Sequence, residues 1–426
     1  MAFRFVHTAD IHLDSPLRSL SLRDPEIADL IGNATRQSFS KIIDLCLDEA
    51  VDALMIAGDL YDGELRSMKS AAFLGAEMRR LAAGGIRAFV IRGNHDAESV
   101  ITRHLSLPDN VHVFSGRAEA VPIEGKDVVV HGVSFSKPHI TDSLLPKYRP
   151  PVEGRINIGL LHTSLAGSSR HDVYAPCGLS DLADHGFDYW GLGHIHQREV
   201  HTDKPSTVVM PGIPQGRHIN EAGPKSVTLV EIHDNGQLTI EERFTSVAQF
   251  ERVAVNIAGA HDWSPVLQRI ETALGEAADM AMSDHIVARL EISGSTPLAS
   301  RLRRDEDLLI EEARQSTGTA GKVFIEAVDL QTHVPDRATQ SDGNDPLTEL
   351  RALMDPSENN PEGTNNLDLV REKARELIGE LQRQLPGELR DRFGDSEDGL
   401  SRVVDEFIGE GTETLLSRFE ADRTGQ

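Results

Sequence analysis

Short apolar runs that end in polar residues recur through the first half of the chain. Six such runs lie at residues 3–10, 51–59, 86–96, 128–135, 156–163 and 187–194. Their length and their valine and isoleucine content predict buried strands. Between the first three runs, apolar residues at helical spacing predict helices over residues 38–49 and 68–83. The pattern therefore predicts a layered α/β domain with two sheets that covers residues 1–245.

The pattern restarts at residue 246 as a smaller unit. Strand-like runs at 250–257, 285–293 and 322–330 alternate with helical stretches at 263–278 and 298–315. This alternation predicts a small α+β capping domain over residues 246–330.

The last hundred residues have a different composition. Residues 331–366 are rich in Pro, Asn, Asp, Ser and Gly, which predicts a linker. Beyond it, one apolar helical stripe is formed by Leu367, Val370, Ala374, Leu377, Leu381 and Leu385. A second apolar set follows at residues 400–408. We therefore expect a helical partner-binding segment over residues 367–426, with packing against the chain's own catalytic domain as the alternative.

The composition is that of a folded globular protein. The 426 residues are 39% hydrophobic and 26% charged, and the formal net charge is −25. This charge excludes a chain that binds nucleic acid through overall basicity, although local basic patches are compatible with it. The acidity is uneven, because residues 241–426 carry 20 basic and 38 acidic side chains.

Two expectations concern the compartment. The N-terminus shows no signal-peptide pattern, and no run of about 18 apolar residues predicts a membrane span. The two cysteines, Cys46 and Cys177, lie in unlike contexts and provide neither a disulfide framework nor a cysteine metal site. We therefore expect a cytoplasmic protein without a membrane partner.

Metal-type donors follow five of the predicted strands. They belong to the motifs DIH, GDLYD, GNHD, LHT and GHIH, which contain Asp10, His12, Asp59, Asn94, His95, Asp96, His162, His194 and His196. Ligands of open α/β sheets gather at the carboxyl ends of the strands, so we expect these side chains to converge. Each motif alone is a weak signal, but chance does not explain five in succession.

The donor types and their number favour a two-ion site. Mixed oxygen and nitrogen donors suit divalent Mn²⁺, Fe²⁺ or Zn²⁺. Seven donors exceed what one ion needs, whereas two ions about 3.5–4 Å apart that share one carboxylate would use all of them. Such a pair is a clamp for in-line attack on phosphorus.

The ordered series of motifs resembles the calcineurin-like metallophosphoesterase superfamily. Its spacing is similar to that of the SbcD-type DNA repair nucleases, and the opening HTADIHLDSPL is closest to their YhaO-like branch. The resemblance implies a four-layer αββα metallophosphoesterase sandwich, a Mn²⁺-dependent nuclease and a homodimer. It also implies an SMC-like ATPase partner of the SbcC or YhaN kind.

The resemblance also implies roles for the individual residues. One ion would be held by Asp10, His12, Asp59 and His196. The other would be held by Asp59, Asn94, His162 and His194, so that Asp59 bridges the two. His95 would stand beside the phosphate as the proton-donating or charge-stabilising group, and Asp96 would orient it.

The predicted function is a metal-dependent DNA nuclease, an exonuclease in DNA repair. One alternative is a metallophosphodiesterase of the same superfamily that acts on small phosphoesters or cyclic nucleotides. A phosphoprotein phosphatase is disfavoured, because that group has GDxxDRG and GNHE where this chain has GDLYDGE and GNHD. The other alternative is a non-catalytic interaction scaffold with a structural metal site.

Overall fold

The computed structural model describes residues 2–15, 32–61, 68–98, 107–165, 174–202, 206–316, 323–335, 361–384, 399–405, 407–408 and 411. The chain divides into two compact units. Unit 1 contains Met1–Arg252, Glu276–Arg289 and Thr319–Glu326, and unit 2 contains Val253–Gly275, Leu290–Gly318 and Ala327–Gln426. The domain boundaries at residues 245, 330 and 366 stay a prediction.

Two six-stranded sheets dominate unit 1. Their strands are β1 (Phe3–Thr8), β2 (Ala53–Ala57), β3 (Arg87–Ile91), β4 (Val111–Val113), β5 (Glu119–Pro122), β6 (Val128–Gly132), β7 (Ile156–His162), β8 (Tyr189–Gly193), β9 (Glu199–His201), β10 (Thr207–Met210), β11 (Ser226–Ile232) and β12 (Leu238–Phe244). The sheet orders are β12-β11-β1-β2-β3-β4 and β5-β6-β7-β8-β10-β9. Strands β1, β2 and β3 are parallel, as are β6, β7 and β8, so each set ends at one edge of its sheet.

Apolar side chains fill three successive layers. Phe39 of helix α1 (Ala34–Asp48) and Leu74 of helix α2 (Met68–Ala83) share one cluster with Leu54 of β2. A second cluster between the sheets contains Phe5 and Tyr189, among others. On the outer face of the second sheet, a third cluster joins buried strand residues to helix α3 (Leu179–His185). These layers confirm the αββα sandwich, and they explain why both faces of the central strands are apolar.

The described residues between 248 and 333 form a three-stranded sheet and three helices. The sheet has the order β13 (Ala248–Asn256), β14 (His285–Ser295) and β15 (Val323–His333). The helices are α4 (Trp263–Met280), α5 (Ala299–Arg304) and α6 (Glu306–Ser316).

The prediction of one helix over residues 298–315 is wrong, because the helix is interrupted at Asp305, between α5 and α6. The Asp305 carboxylate accepts a hydrogen bond from Arg304 Nε at 2.8 Å. Two acidic residues, Glu306 and Asp307, then begin α6. Aspartate is favoured at a helix start rather than inside a helix, and acidic side chains are stabilised there by the helix dipole.

Helix α7 (Pro361–Gln384) contains the predicted apolar stripe, apart from Leu385, which lies outside the described residues. Residues 399–405 are helical as well, and Arg371 Nε lies 2.8 Å from Asp405 Oδ1. The side chains of Leu377 and Leu381 are 56% and 46% exposed.

Most of the predicted linker falls at 336–360, outside the described residues. In the part of the chain that the structure describes, no helix has the length and apolar character needed to cross a membrane.

A buried histidine connects the two sheets of unit 1. His7 Nδ1 lies 2.9 Å from the Tyr189 hydroxyl oxygen, and His7 Nε2 lies 3.1 Å from the Leu192 carbonyl oxygen. Since a carbonyl only accepts, Nε2 carries the proton and Nδ1 accepts from the tyrosine hydroxyl. Burial lowers the pKa of His7 to about 3, so the ring is neutral.

We expect Tyr189→Phe to lower the free energy of unfolding by about 1–3 kcal/mol, because it leaves the buried His7 Nδ1 without its donor. Tyr61→Phe is the matched control. Its hydroxyl is also buried but has no hydrogen-bond partner among the described residues, so its loss should change little. Urea denaturation of both variants measures the difference. Equal losses would show that the His7–Tyr189 bond contributes no stability.

Candidate metal centre

The ends of five parallel strands bring the predicted donors together. Three groups have ligand atoms that all lie within 4.8 Å of one another, and they are Asp10–His12–His196, His12–Asp59–His95 and Asp59–His162–His194. The Asn94 Oδ1 atom lies 3.0 Å from His162 Nε2. All seven predicted donors and His95 therefore belong to one connected cluster.

Two of the three groups fall within the predicted ligand sets. The groups Asp10–His12–His196 and Asp59–His162–His194 are each contained in one of the predicted ligand sets. The third group places His95 as close to His12 and Asp59 as a ligand would be.

Several of these residues have a strained backbone. The φ angles are positive at Asp10 (51°), His12 (45°), Asp59 (51°) and His194 (101°). Such conformations cost on the order of 1–3 kcal/mol each and are concentrated at functional sites. Hydrogen bonds hold them here, since Asp10 N–H donates to Gly58 O and His12 N–H to Asp59 O, both at 3.0 Å.

Two glycines permit the close approach of the motifs. A Cβ on Gly93 would collide with the Asp59 carboxylate. A Cβ on Gly193 would collide with the Ala57 carbonyl oxygen and would lie 3.0 Å from His162 Nδ1. Glycine is required at both positions because neighbouring ligands occupy the space of a side chain.

The surroundings of His162 suit a cation. Its Nδ1–H donates to the Ala57 carbonyl at 2.9 Å, so Nε2 points towards Asn94 Oδ1 and towards Asp59 Oδ2, which is 3.4 Å away. Burial alone would lower the pKa of His162, but Asp59 and Asp10 outweigh it and raise the pKa to about 9. The same acceptors would bind a metal ion in place of the Nε2 proton.

His12 and His196 also fit a shared ion. Their Nε2 atoms lie 3.3 Å apart. Two nitrogen ligands at about 2.1 Å from one tetrahedral ion would be about 3.4 Å apart. The residue types and this spacing therefore fit divalent metal at the site.

The candidate ligands differ in their exposure to solvent. Asp10, His12, Asp59 and His162 are at most 2% exposed, whereas His95 is exposed and His196 is partly exposed. A buried floor of ligands with an exposed imidazole at the rim can bind cations and leave a face accessible to substrate.

Asp96 connects two of the motif loops. Its buried carboxylate accepts hydrogen bonds from the backbone N–H groups of Leu60, Tyr61 and Gly93 at 3.0–3.1 Å. Burial, together with the charge of Asp59, raises the pKa of Asp96 to about 6. Because His95 N–H donates to Asp59 Oδ1 at 3.0 Å, the same loop backbone is fixed on both sides.

The sequence analysis missed Glu221. Its Oε1 atom lies 2.7 Å from His196 Nδ1 and 2.8 Å from Arg217 Nη2. Glu221 ends a short 3₁₀ turn, Ile219–Glu221, 25 residues after His196. No spacing rule connects a lone acid at that distance to a strand-end motif, so only the folded structure reveals it.

Comparison with protein families gives two matches. A family described as calcineurin-like phosphoesterase matches residues 3–198. A second family, described as metallophosphoesterase YhaO, middle domain, matches residues 250–333. The two matches cover the strand-end motifs and the three-stranded sheet.

Individual relatives agree with these matches. The chain is 34% identical over 300 residues to the uncharacterized metallophosphoesterase YhaO of Bacillus subtilis, covering 69% of this chain and 72% of that protein. It is 25% identical to the DNA double-strand break repair protein Mre11 of Methanopyrus kandleri, over 62% of each chain. It is also 25% identical to one subunit of the nuclease SbcCD of Bacillus subtilis, over 56% of this chain and 68% of that one.

Among solved structures, a dimetal phosphatase from Danio rerio is 13% identical, with a TM-score of 0.36 over 57% of this chain and 96% of that one. The assignment rests on the sequence matches instead. The chain belongs to the calcineurin-like metallophosphoesterases, in the group that carries the YhaO middle domain.

Proposed function

We propose that this metallophosphoesterase is a Mn²⁺-dependent DNA nuclease that works as an exonuclease in DNA repair. The observation that carries the proposal is the cluster of seven donors, of which Asp10, His12, Asp59 and His162 are buried, with the exposed His95 beside it. Relatives named as a double-strand break repair protein and as part of a nuclease support DNA as the substrate.

The proposed division of ligands follows the two groups that share no residue. Asp10, His12 and His196 would hold one ion together with Asp59, and Asp59 would hold the other with Asn94, His162 and His194. Bound divalent cations would lower the pKa of an attacking water and neutralise the phosphate charge. Mixed nitrogen and oxygen donors suit Mn²⁺.

His95 is the proposed catalytic side chain. Its ring centroid is 5.0 Å from that of His12, and the residue is exposed, so a bound phosphodiester could reach the ring. An imidazole titrates near neutral pH, so it can donate a proton to the departing sugar oxygen. Asp96 is a positioning residue, because it holds the loop that carries His95.

The acidity of the chain does not contradict a DNA substrate. Affinity for DNA depends on local neutralisation of phosphate charge, and most of the excess acid lies in residues 241–426. The proposal implies the cytoplasm, where the buried thiols of Cys46 and Cys177 would stay reduced.

We also propose an SMC-like ATPase, of the SbcC or YhaN kind, as partner of the C-terminal helices, and a homodimer as the assembly. Leu377 and Leu381 are exposed on α7, and an apolar helix face of this kind is buried against a partner helix in many complexes. One relative is named as a subunit of the nuclease SbcCD, and this name supports the proposal that the chain works with a partner.

Asp59→Ala should remove both ions and abolish Mn²⁺-dependent cleavage of linear duplex DNA, because the carboxylate is common to both proposed sites. Elemental analysis and a DNA cleavage assay measure the two effects, with the exposed Asp44→Ala as control. A variant that keeps one ion at full occupancy would contradict the bridging role.

Hydrolysis of cyclic nucleotides without DNA cleavage by the wild type would favour the small-phosphoester alternative, and bound ions without any hydrolysis would favour the scaffold.

His95→Asn should keep both ions and lose about 10²–10⁴-fold in the rate of DNA cleavage, because one general acid or charge-stabilising group typically contributes that much. The loss should shrink on a p-nitrophenyl phosphodiester, whose leaving group needs little protonation. Single-turnover rates and elemental analysis provide the measurements. Loss of metal would show that His95 is a ligand, as its position near His12 and Asp59 permits.

Leu377→Glu combined with Leu381→Glu should abolish co-purification with the SMC-like ATPase encoded in the same genome, because two charges would be buried in the contact. Leu308→Glu on α6, a leucine also 46% exposed, is the matched control and should bind normally. Both variants should cleave a short DNA at the wild-type rate and keep the mass of a homodimer by light scattering. Retained co-purification of the double variant would refute this contact.

A further inference from the structure

Glu221 and Arg217 make opposing contacts with the same nitrogen of His196. Glu221 is 8% exposed, and its Oε1 atom lies 2.7 Å from His196 Nδ1. Arg217 Nη2 lies 3.3 Å from the same Nδ1. Glu221 also binds Arg217, through the backbone N–H at 2.7 Å and through Nη2 at 2.8 Å.

The two contacts require opposite tautomers of the His196 ring. A carboxylate only accepts, so the Glu221 contact needs a proton on Nδ1 and leaves the lone pair on Nε2. A guanidinium only donates, so a bond from Arg217 would need the lone pair on Nδ1 and would put the proton on Nε2. The shorter, charge-assisted contact to Glu221 decides between them.

Both carboxylate oxygens of Glu221 accept hydrogen bonds from Arg217, Oε1 from Nη2 and Oε2 from the backbone N–H. The Arg217 Nη2 atom that lies 3.3 Å from His196 Nδ1 is only 2.8 Å from Glu221 Oε1, so the carboxylate competes with the imidazole for this donor.

We propose that Glu221 is a positioning residue, which fixes the Nδ1–H form of His196 against Arg217 and so keeps Nε2 free to bind a divalent cation together with His12. The inference rests on the proposed metal site. It explains why the Nε2 atom of His196, 3.3 Å from His12 Nε2, carries a lone pair that can bind a cation and does not carry a proton.

The decisive comparison is between Glu221→Ala and the double variant Glu221→Ala with Arg217→Ala. In Glu221→Ala, Arg217 can donate to Nδ1, so we expect the affinity for one of two Mn²⁺ ions to fall about 10–100-fold, the usual effect of losing a partner of a ligand. The double variant should recover most of that affinity, because the competing donor is gone. Arg217→Ala alone should stay within about twofold of wild type, since Glu221 remains.

Two further variants guard against a general folding defect. Glu221→Gln keeps an acceptor oxygen for Nδ1–H, so its loss should be smaller than that of Glu221→Ala. Glu49→Ala is the matched control, because Glu49 binds Arg4 and Arg243 away from the site and should leave Mn²⁺ affinity unchanged. Electron paramagnetic resonance of free Mn²⁺ measures the titrations on the full chain.

Wild-type affinity in Glu221→Ala would overturn the proposal, and so would a double variant as weak as Glu221→Ala. The tautomer itself is read from the ¹⁵N shifts and two-bond ¹⁵N–¹H couplings of His196 in metal-free protein. We expect Nδ1–H in the wild type and Nε2–H in Glu221→Ala. This readout separates the two ideas: a wild type that binds no Mn²⁺ would refute the proposed function, whereas an unchanged tautomer in Glu221→Ala would refute the role of Glu221.

Discussion

Two buried carboxylates in one site are the constraint on which the rest of the structure depends. Asp10 and Asp59 are almost fully buried; burial raises the pKa of Asp10, whereas for Asp59 the neighbouring imidazoles outweigh burial and lower the pKa. Imidazoles from the same strand end as Asp10 and from three further strand ends surround them, and those of His162 and His12 lower the pKa of Asp59. A buried cluster of carboxylates and imidazole nitrogens is shielded from solvent, so bound cations stabilise it.

The backbone carries part of the cost of that arrangement. Positive φ angles at four ligand positions place the side chains in one cluster, and such angles persist only where the surroundings hold them. Asp96 fixes the loop that follows Asp59, because its carboxylate accepts from three backbone N–H groups of two loops, and the Asp10 carboxylate accepts from the backbone N–H of His194. The layered core fixes the strands, and the loop contacts fix the ligands on top of them.

The sequence predicts the fold, and it locates the strand-end side chains that the structure brings together, because both are local properties. Each strand has an apolar run, and each donor follows a strand within a few residues, so parallel pairing brings the donors to one edge. The helix break at Asp305 was missed because an apolar spacing continues across it. Glu221 was missed because its role depends on the path of the chain after β10, which no short motif records. The position of His95 near His12 and Asp59 likewise depends on the precise geometry of a turn.

The two sides of the site differ in how their histidines are fixed. His162 donates its Nδ1–H to the carbonyl of Ala57, a backbone group that no substitution removes. His196 donates to the side chain of Glu221, which is itself paired with Arg217. The first histidine is therefore held by the backbone, whereas the second depends on the side chain of Glu221, which can be substituted independently of it. If two ions bind, we expect the affinity of the one at His196 to change on substitution of Glu221, while the one at His162 depends on the packing of β2 against β7.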